Sequence, residues 1–414
     1  MSNITAIAAS ATALALAAAL VVPRGDPGPE VIPGAGTGAT HVVAGDGSGD
    51  FTTITEAVAA AAEGDTVLVK PGTYAEALVI EKDITVQGDG PREEIVVTFP
   101  AGAGPNETDP DGNPFYATLK VEEADANLGG LTITGAAPDG DQFSVAVLVV
   151  GGAPQLQDLS IVTDAPADVF ISLLFDQSAP VLQDSAWAGY LYSIGSSPTL
   201  EGNTISTVDA MLGLNGPAEV VVRGNTFLDG ASISASDELT GLIEGNDFTD
   251  GGIGVDTGSD MLVRGNTFNG GARTPLGAGA ILVSGTGSQA RIVENKVTGS
   301  PVGVSITGGS KATVEANEFD DTNIAIAWST MEAGTIDGNT ITGGVSGIVV
   351  TGGSPAVVDN TVEGASARGI SIGSLAAPSL SGNTVCGNAS NLWLAEKAAP
   401  DIGENEICAD EPAE

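Results

Sequence analysis

Positive charge is scarce in this sequence. Lys and Arg number 13 against 53 Asp and Glu, which leaves a net charge of −40. No basic patch is available to displace counterions, so phosphate-driven binding of nucleic acid is excluded. Acidic polysaccharides are repelled as well, unless salt or a divalent cation screens the charge. A single histidine, His41, is read as part of an N-terminal linker, which removes imidazole acid–base chemistry and His-rich metal centres. Aromatic residues make up only 4%, yet hydrophobic content reaches 42% in short Val/Ile/Leu runs, too much for a disordered polyanion. Helical spacing of apolar residues is missing, which argues against helical repeats. What remains is many short strands punctuated by Gly, Asn, Asp and Ser, with Gly alone contributing 58 residues.

Residues 4–22 form an Ala/Leu/Val-rich run. It reads as the apolar region of a secretory signal, with Ala17 and Ala19 near a cleavage position, although no Lys or Arg precedes it. A membrane anchor is the rival reading, weakened by Thr5, Ser10, Thr12 and many Ala. The expected organisation is a signal peptide or anchor at 1–22, a Gly/Pro linker at 23–40, one β-helix at 41–409 and an acidic tail at 410–414. The expected location is secreted or at the cell surface, with no membrane contact unless the N-terminal run is retained.

From about Leu131 one phrase recurs: apolar, polar, Gly or Asp, Asn, Thr, apolar. Its Asn falls at Asn203, Asn225, Asn246, Asn266, Asn295, Asn317, Asn339, Asn360, Asn383 and Asn405. Most steps are 20 to 23 residues; the step from 266 to 295 is 29 and implies an inserted loop. Leu131, Leu159 and Ser185 occupy the same slot in degenerate earlier repeats. A second register supports the first. Val304, Ile326, Ile348, Ile370 and Leu392 are 22 apart, as are Ile306, Trp328, Val350, Ile372 and Leu394. A period near 22 with strand-like alternation predicts an all-β fold, a single-stranded right-handed parallel β-helix of ~22-residue coils. The Asn column reads as structural, a stack of amides satisfying a buried turn rather than a binding array. Phe227, Phe248, Phe268 and Phe319, each two residues after a ladder Asn, read as an inward stack, with Trp187 in the same column.

An open β-helix end must be covered. Thr53 to Ala62 predicts a short N-terminal capping helix, with Thr53 and Glu56 at capping-box spacing and Gly64 as the stop. This region resembles a known family. Val43-Ala44, then Asp46-Gly47-Ser48-Gly49-Asp50-Phe51-Thr52-Thr53-Ile54 and Glu56-Ala57-Val58, are similar to the opening of pectin methylesterases. So are Val69-Lys70-Pro71-Gly72-Thr73-Tyr74 with Glu76, and Ile84-Thr85-Val86-Gln87-Gly88-Asp89-Gly90. The resemblance covers about 50 residues and implies the wider pectin-lyase-like β-helix superfamily of lyases, esterases, glycosidases, epimerases and surface proteins. For an esterase it implies two Asp, one Arg and two Gln on the outer face of one sheet. Gln142 matches the position of the first Gln, and Gln157-Asp158 imitates the second motif. However, Pro154 precedes Leu159 by five residues, as Pro198 precedes Asn203 and Pro355 precedes Asn360, so the repeat alone explains Gln157-Asp158. The family's aspartate and arginine motifs are absent.

The register places Leu148, Leu174, Tyr192, Gly213, Ser232, Gly254, Leu282, Ser305, Ala327, Val349, Ser371 and Trp393 outward on one strand of each coil. No acid, base or Arg is among them, whereas glycoside hydrolysis needs paired carboxylates and lyase chemistry a base beside a neutralising group. Asp176, Asp209 and Asp256 lie just beyond the strand. Eight of the 17 aromatic residues fall between 115 and 192. Tyr190, Tyr192 and Leu174, together with Trp393, are the candidate carbohydrate-binding residues; the bland alternative is an apolar patch beneath the loop at 105–116. In that loop Asp109, Asp111 and Asn113 around a Gly resemble a short Ca2+ loop, against the plainer reading of an acidic turn. Cys386 and Cys408, the only cysteines, lie 22 apart and each three residues after a ladder Asn, which predicts a disulfide between adjacent coils. The sequence therefore points to an exported, non-catalytic β-helix that presents a surface to polysaccharide or cell-envelope glycan. Its rivals are a polysaccharide lyase or carbohydrate esterase of the same superfamily, and a structural surface rod or adhesin.

Overall fold

The computed structural model describes residues 38–136, 142–162, 170–206, 210–270 and 279–410. The expected signal or anchor, nearly all of the linker, Asp209, the heart of the inserted loop and the end of the acidic tail lie outside the described residues. Within them, the fold is a right-handed parallel β-helix of about 16 turns with one α-helix. It divides into two units, residues 1–207 and 208–414.

In the first unit each coil adds one rung to two parallel sheets. One sheet runs from Thr40–Val43 through Thr66–Val69, Thr85–Gly88 and Asn127–Thr134 to Gln155–Val162. The other runs from Leu78–Ile80 through Pro114–Glu122, Ser144–Val150 and Phe170–Asp176 to Tyr190–Ile194. Side chains alternate faces along each strand, so one column turns inward at every rung. Leu78, Leu119, Val147, Leu173 and Leu191 form such a column and are at most 2% exposed. Each fully buried aliphatic side chain of this kind contributes about 1.5–3 kcal/mol.

The N-terminal helix spans Ile54–Ala60, shorter than the sequence pattern implies. The Thr53 side chain accepts from Glu56 N, half of the expected capping box. The rest of the capping comes from another coil. The Glu76 carboxylate accepts from Ile54 N at 2.9 Å and from Thr55 N at 2.7 Å, where the orphan N–H groups of the first turn point. At the other end Lys82 Nζ donates to the carbonyls of Val58, Ala59 and Ala61. His41 belongs to the first strand rather than a linker, and its Nε2 lies 3.0 Å from Asp65 Oδ2.

In the second unit, nine strands from Met211–Asn215 to Ser390–Leu394 form one sheet. The two columns read from the sequence are both present in register, from Val304 opposite Ile326 to Ile372 opposite Leu394, and are buried except at the last rung, where Leu392 is half-buried and Leu394 exposed. Phe227, Phe248 and Phe268 stack at centroid distances of 4.4 and 4.8 Å. The Asn ladder runs through the corner between strands. From Asn225 to Asn383 each backbone N–H and each Nδ2 donates to the Oδ1 of the next ladder Asn, at 2.8–3.0 Å. In the first unit Ser185 fills the slot: Ser185 N donates to Asn203 Oδ1, and Ser185 Oγ accepts from Leu159 N. The residue before each ladder Asn from Asn203 to Asn383 turns left-handed, at φ +62° for Gly224 and +61° for Gly265. That conformation explains the Gly in the repeated phrase.

Candidate functional site

Pairing of the first unit's strands fixes one outward column: Val79, Lys120, Leu148, Leu174 and Tyr192. The next outward column is Glu122, Val150, Asp176 and Ile194. The expectation of an uncharged outer face therefore fails at Lys120. The outward residues read from the sequence begin at Leu148, one coil after Lys120. Lys120 Nζ lies 3.2 Å from Glu107 Oε2 and 3.0 Å from Glu122 Oε2. Burial alone would lower its pKa, but the hydrogen bonds to Glu122 and Glu107 outweigh burial and raise it. Lys120 is thus held as an ammonium and is unsuited to act as a base.

Asp176 ends its strand, half-buried, between Val150 and Ile194. Burial raises its carboxyl above the ordinary range, and no cation among the described residues offsets that. Two rungs separate it from Glu122, about 10 Å along the sheet.

Leu174, Tyr190 and Tyr192 come together beside Asp176. The two tyrosine rings stack at 5.9 Å with planes 7° apart. Yet Leu174 and Tyr192 are each 7% exposed and Leu148 is 4% exposed, so these outward residues are not offered to solvent as expected. Burial, helped by the neighbouring Tyr190, pushes the Tyr192 hydroxyl up to about 12. Tyr190 remains half-buried and is the ring that still presents surface.

Trp393 belongs to the second unit, opposite Ser371, and is 37% exposed. The Arg368 guanidinium sits 3.9 Å from its ring centroid, a cation–π contact. The outward column of this unit is Gly213, Ser234, Gly254, Leu282, Ser305, Ala327, Val349, Ser371 and Trp393. Ser234, not Ser232, occupies the second coil's position. Ser232 is buried, with its Oγ donating to Gly230 O and accepting from Gly252 N.

The motifs suggested by the esterase resemblance are not assembled. Gln142 accepts from the Tyr116 hydroxyl at 3.1 Å, at the edge of the sheet that bears Lys120. Gln157 lies in the other sheet, opposite Gly129 and Gln183. Asp158 is engaged by Arg92, with Nη1 to Oδ1 at 2.9 Å.

Asp109, Asp111 and Asn113 share one tight turn before the strand Pro114–Glu122. Asp109 is buried, and its carboxylate accepts from Asp111 N, Asn113 N and Asn113 Nδ2 at 2.7–3.0 Å. Burial works against its ionisation, but these hydrogen bonds prevail and lower the pKa. Any Ca2+ there would compete with three donors already in place. Cys386 and Cys408 are joined by a disulfide, with Cα atoms 4.9 Å apart. Among the described residues no helix is long and apolar enough to cross a membrane.

A family model described as the right handed beta helix region matches residues 181–319 and 278–407, and a pectinesterase model matches residues 40–149. Comparison with curated proteins gives no match. Among solved structures, pectin methylesterase from carrot is 17% identical at a TM-score of 0.40, over 63% of this chain and 83% of that one. An alginate lyase from Paenibacillus sp. is 18% identical at 0.44, over 68% and 95%. A periplasmic alginate epimerase is 14% identical at 0.40, over 83% and 77%. None of these three likenesses informs the chemistry.

Proposed function

Since the chain belongs to the right-handed β-helix family, within the pectin-lyase-like superfamily, we propose that it is an exported protein that holds carbohydrate on its outer faces without cleaving it. The observation that carries this reading is the rigid aromatic surface: Tyr190 stacked on buried Tyr192 in one unit, and exposed Trp393 in the other. A ring fixed by its neighbours loses little entropy when a sugar face stacks on it. The disulfide supports export, because such bonds persist in oxidising compartments. A glycan array, screened with wild-type protein and with Tyr190→Ala and Trp393→Ala, tests the proposal. Binding should fall about tenfold or more in at least one variant, for a loss of about 1.4 kcal/mol. Absence of any bound glycan, or binding equal in all three proteins, would remove it and leave the surface rod or adhesin.

A second reading is favoured by Asp176. A half-buried carboxyl whose pKa burial raises, in the same outward column as Glu122, supplies two carboxyl groups of the kind that glycan cleavage uses. Incubation with pectin, alginate and neutral glucans, scored for uronate, methanol and new reducing ends, separates the two. Turnover abolished by Asp176→Asn would establish the enzyme; no product from any polymer would sink it.

A further inference from the structure

The disulfide has a carboxylate beside it. Ligand atoms of Cys386, Glu406 and Cys408 all lie within 4.8 Å of one another. Register produces the cluster. Thr384 stands opposite Glu406 and Val385 opposite Ile407, so Cys386 faces Cys408 across adjacent rungs, with Glu406 two residues before it. Cys386 is half-buried, whereas Glu406 and Cys408 are exposed, so reductant and ion have access. The Glu406 carboxylate has no ion-pair partner among the described residues.

We propose that reduction of the disulfide converts this corner into a site for a borderline-soft divalent cation of the Zn2+ class. The bound cation then closes the last coil in place of the bond. With a phosphine as reductant the step balances: the S–S bond breaks, phosphorus is oxidised, and the oxygen of one water passes to the phosphine oxide. The two protons of that water end on the sulfurs. Cation binding releases those protons and gathers two thiolates and one carboxylate, leaving a fourth position for water. Zn–S bonds of about 2.3 Å in a tetrahedral site set the sulfurs about 3.8 Å apart. Strands whose Cα atoms are 4.9 Å apart reach that spacing by rotation about the Cα–Cβ bonds. In the oxidised protein neither sulfur can serve as a thiolate ligand, so the site is gated by redox state.

The test uses the full chain, with Cd2+ as a spectroscopic probe and Zn2+ as competitor. After phosphine reduction, Cd2+ should bind at one equivalent with a thiolate-to-metal absorption band that Zn2+ displaces; oxidised protein should show no band. Cys386→Ser should abolish the band. Glu406→Gln, which keeps both thiols and re-forms the disulfide on oxidation, should bind about tenfold more weakly or worse. Zn2+ should also slow proteolysis of the last coil in reduced wild-type protein. No band at one equivalent in reduced wild-type protein overturns the proposal. So does an unchanged affinity in Glu406→Gln, which would leave only two adventitious thiolates.

Discussion

A ladder Asn does more work than its volume suggests. Asn317 Nδ2 donates to Ile292 O, Glu315 O and Asn339 Oδ1, while its own Oδ1 accepts from Asn295 N and Nδ2. An apolar residue of similar size leaves several of these buried groups unmatched, and each orphan costs about 1–3 kcal/mol. Asn317→Leu should therefore lower stability by about 3 kcal/mol, whereas Asn405→Leu, at the half-exposed last rung, should cost under half as much. Equal losses in chemical denaturation would mean that packing, not hydrogen bonding, sets the value. This column was legible because amide pairing favours Asn, so one residue type marks every coil from Asn203 to Asn405. Lys120 and Ser234 were not legible for the converse reason. An outward position has no required partner, so nothing in its identity reports the register. Residues 232 and 234 share a face by parity, and only pairing with Gly213 and Gly254 tells them apart.

At the scale of elements, the stretch that resembles pectin methylesterases turns out to be wiring. Glu76 caps the start of the helix, Lys82 its end, Asp50 Oδ2 accepts from Val42 N, and the Tyr74 hydroxyl donates to Lys70 O at 2.7 Å. These contacts tie the first coils together, which is why the motif carried information about the fold. The turn at Asp109 follows the same logic. Alternating acidic residues around a Gly looked like an ion cage, but the sequence could not say that Asp109 already accepts from the loop's own amides. Asp109→Ala should open the loop to protease, while millimolar Ca2+ added to chelator-treated wild-type protein should leave cleavage unchanged. Protection by Ca2+ would support the ion-binding reading. The disulfide was legible for a geometric reason: a fixed coil length turns a sequence separation of 22 into one rung.

For the whole molecule, charge is the dominant variable. Cations are too few to neutralise the carboxylates, since 13 Lys and Arg face 53 Asp and Glu. Some are paired across rungs, as Arg264 with Glu244 and Arg291 with Glu315 at 2.9 Å. Such exposed pairs contribute only about 0–1 kcal/mol each, and salt weakens them. The surplus carboxylates repel one another throughout the chain, and salt weakens that repulsion too. Between 0.1 M and 1 M salt the screening length falls from about 10 Å to about 3 Å, below the roughly 4.8 Å between rungs. Like charges on neighbouring coils are then largely hidden from each other. With about four acids for every cation, relief of repulsion outweighs loss of pairing, so the melting temperature should rise as salt is added. The same screening should let an acidic polysaccharide approach, while a neutral glycan binds independently of salt. Thermal unfolding and glycan binding measured across that salt range check both expectations. A melting temperature that falls with added salt would mean the few cross-rung ion pairs dominate the electrostatics after all.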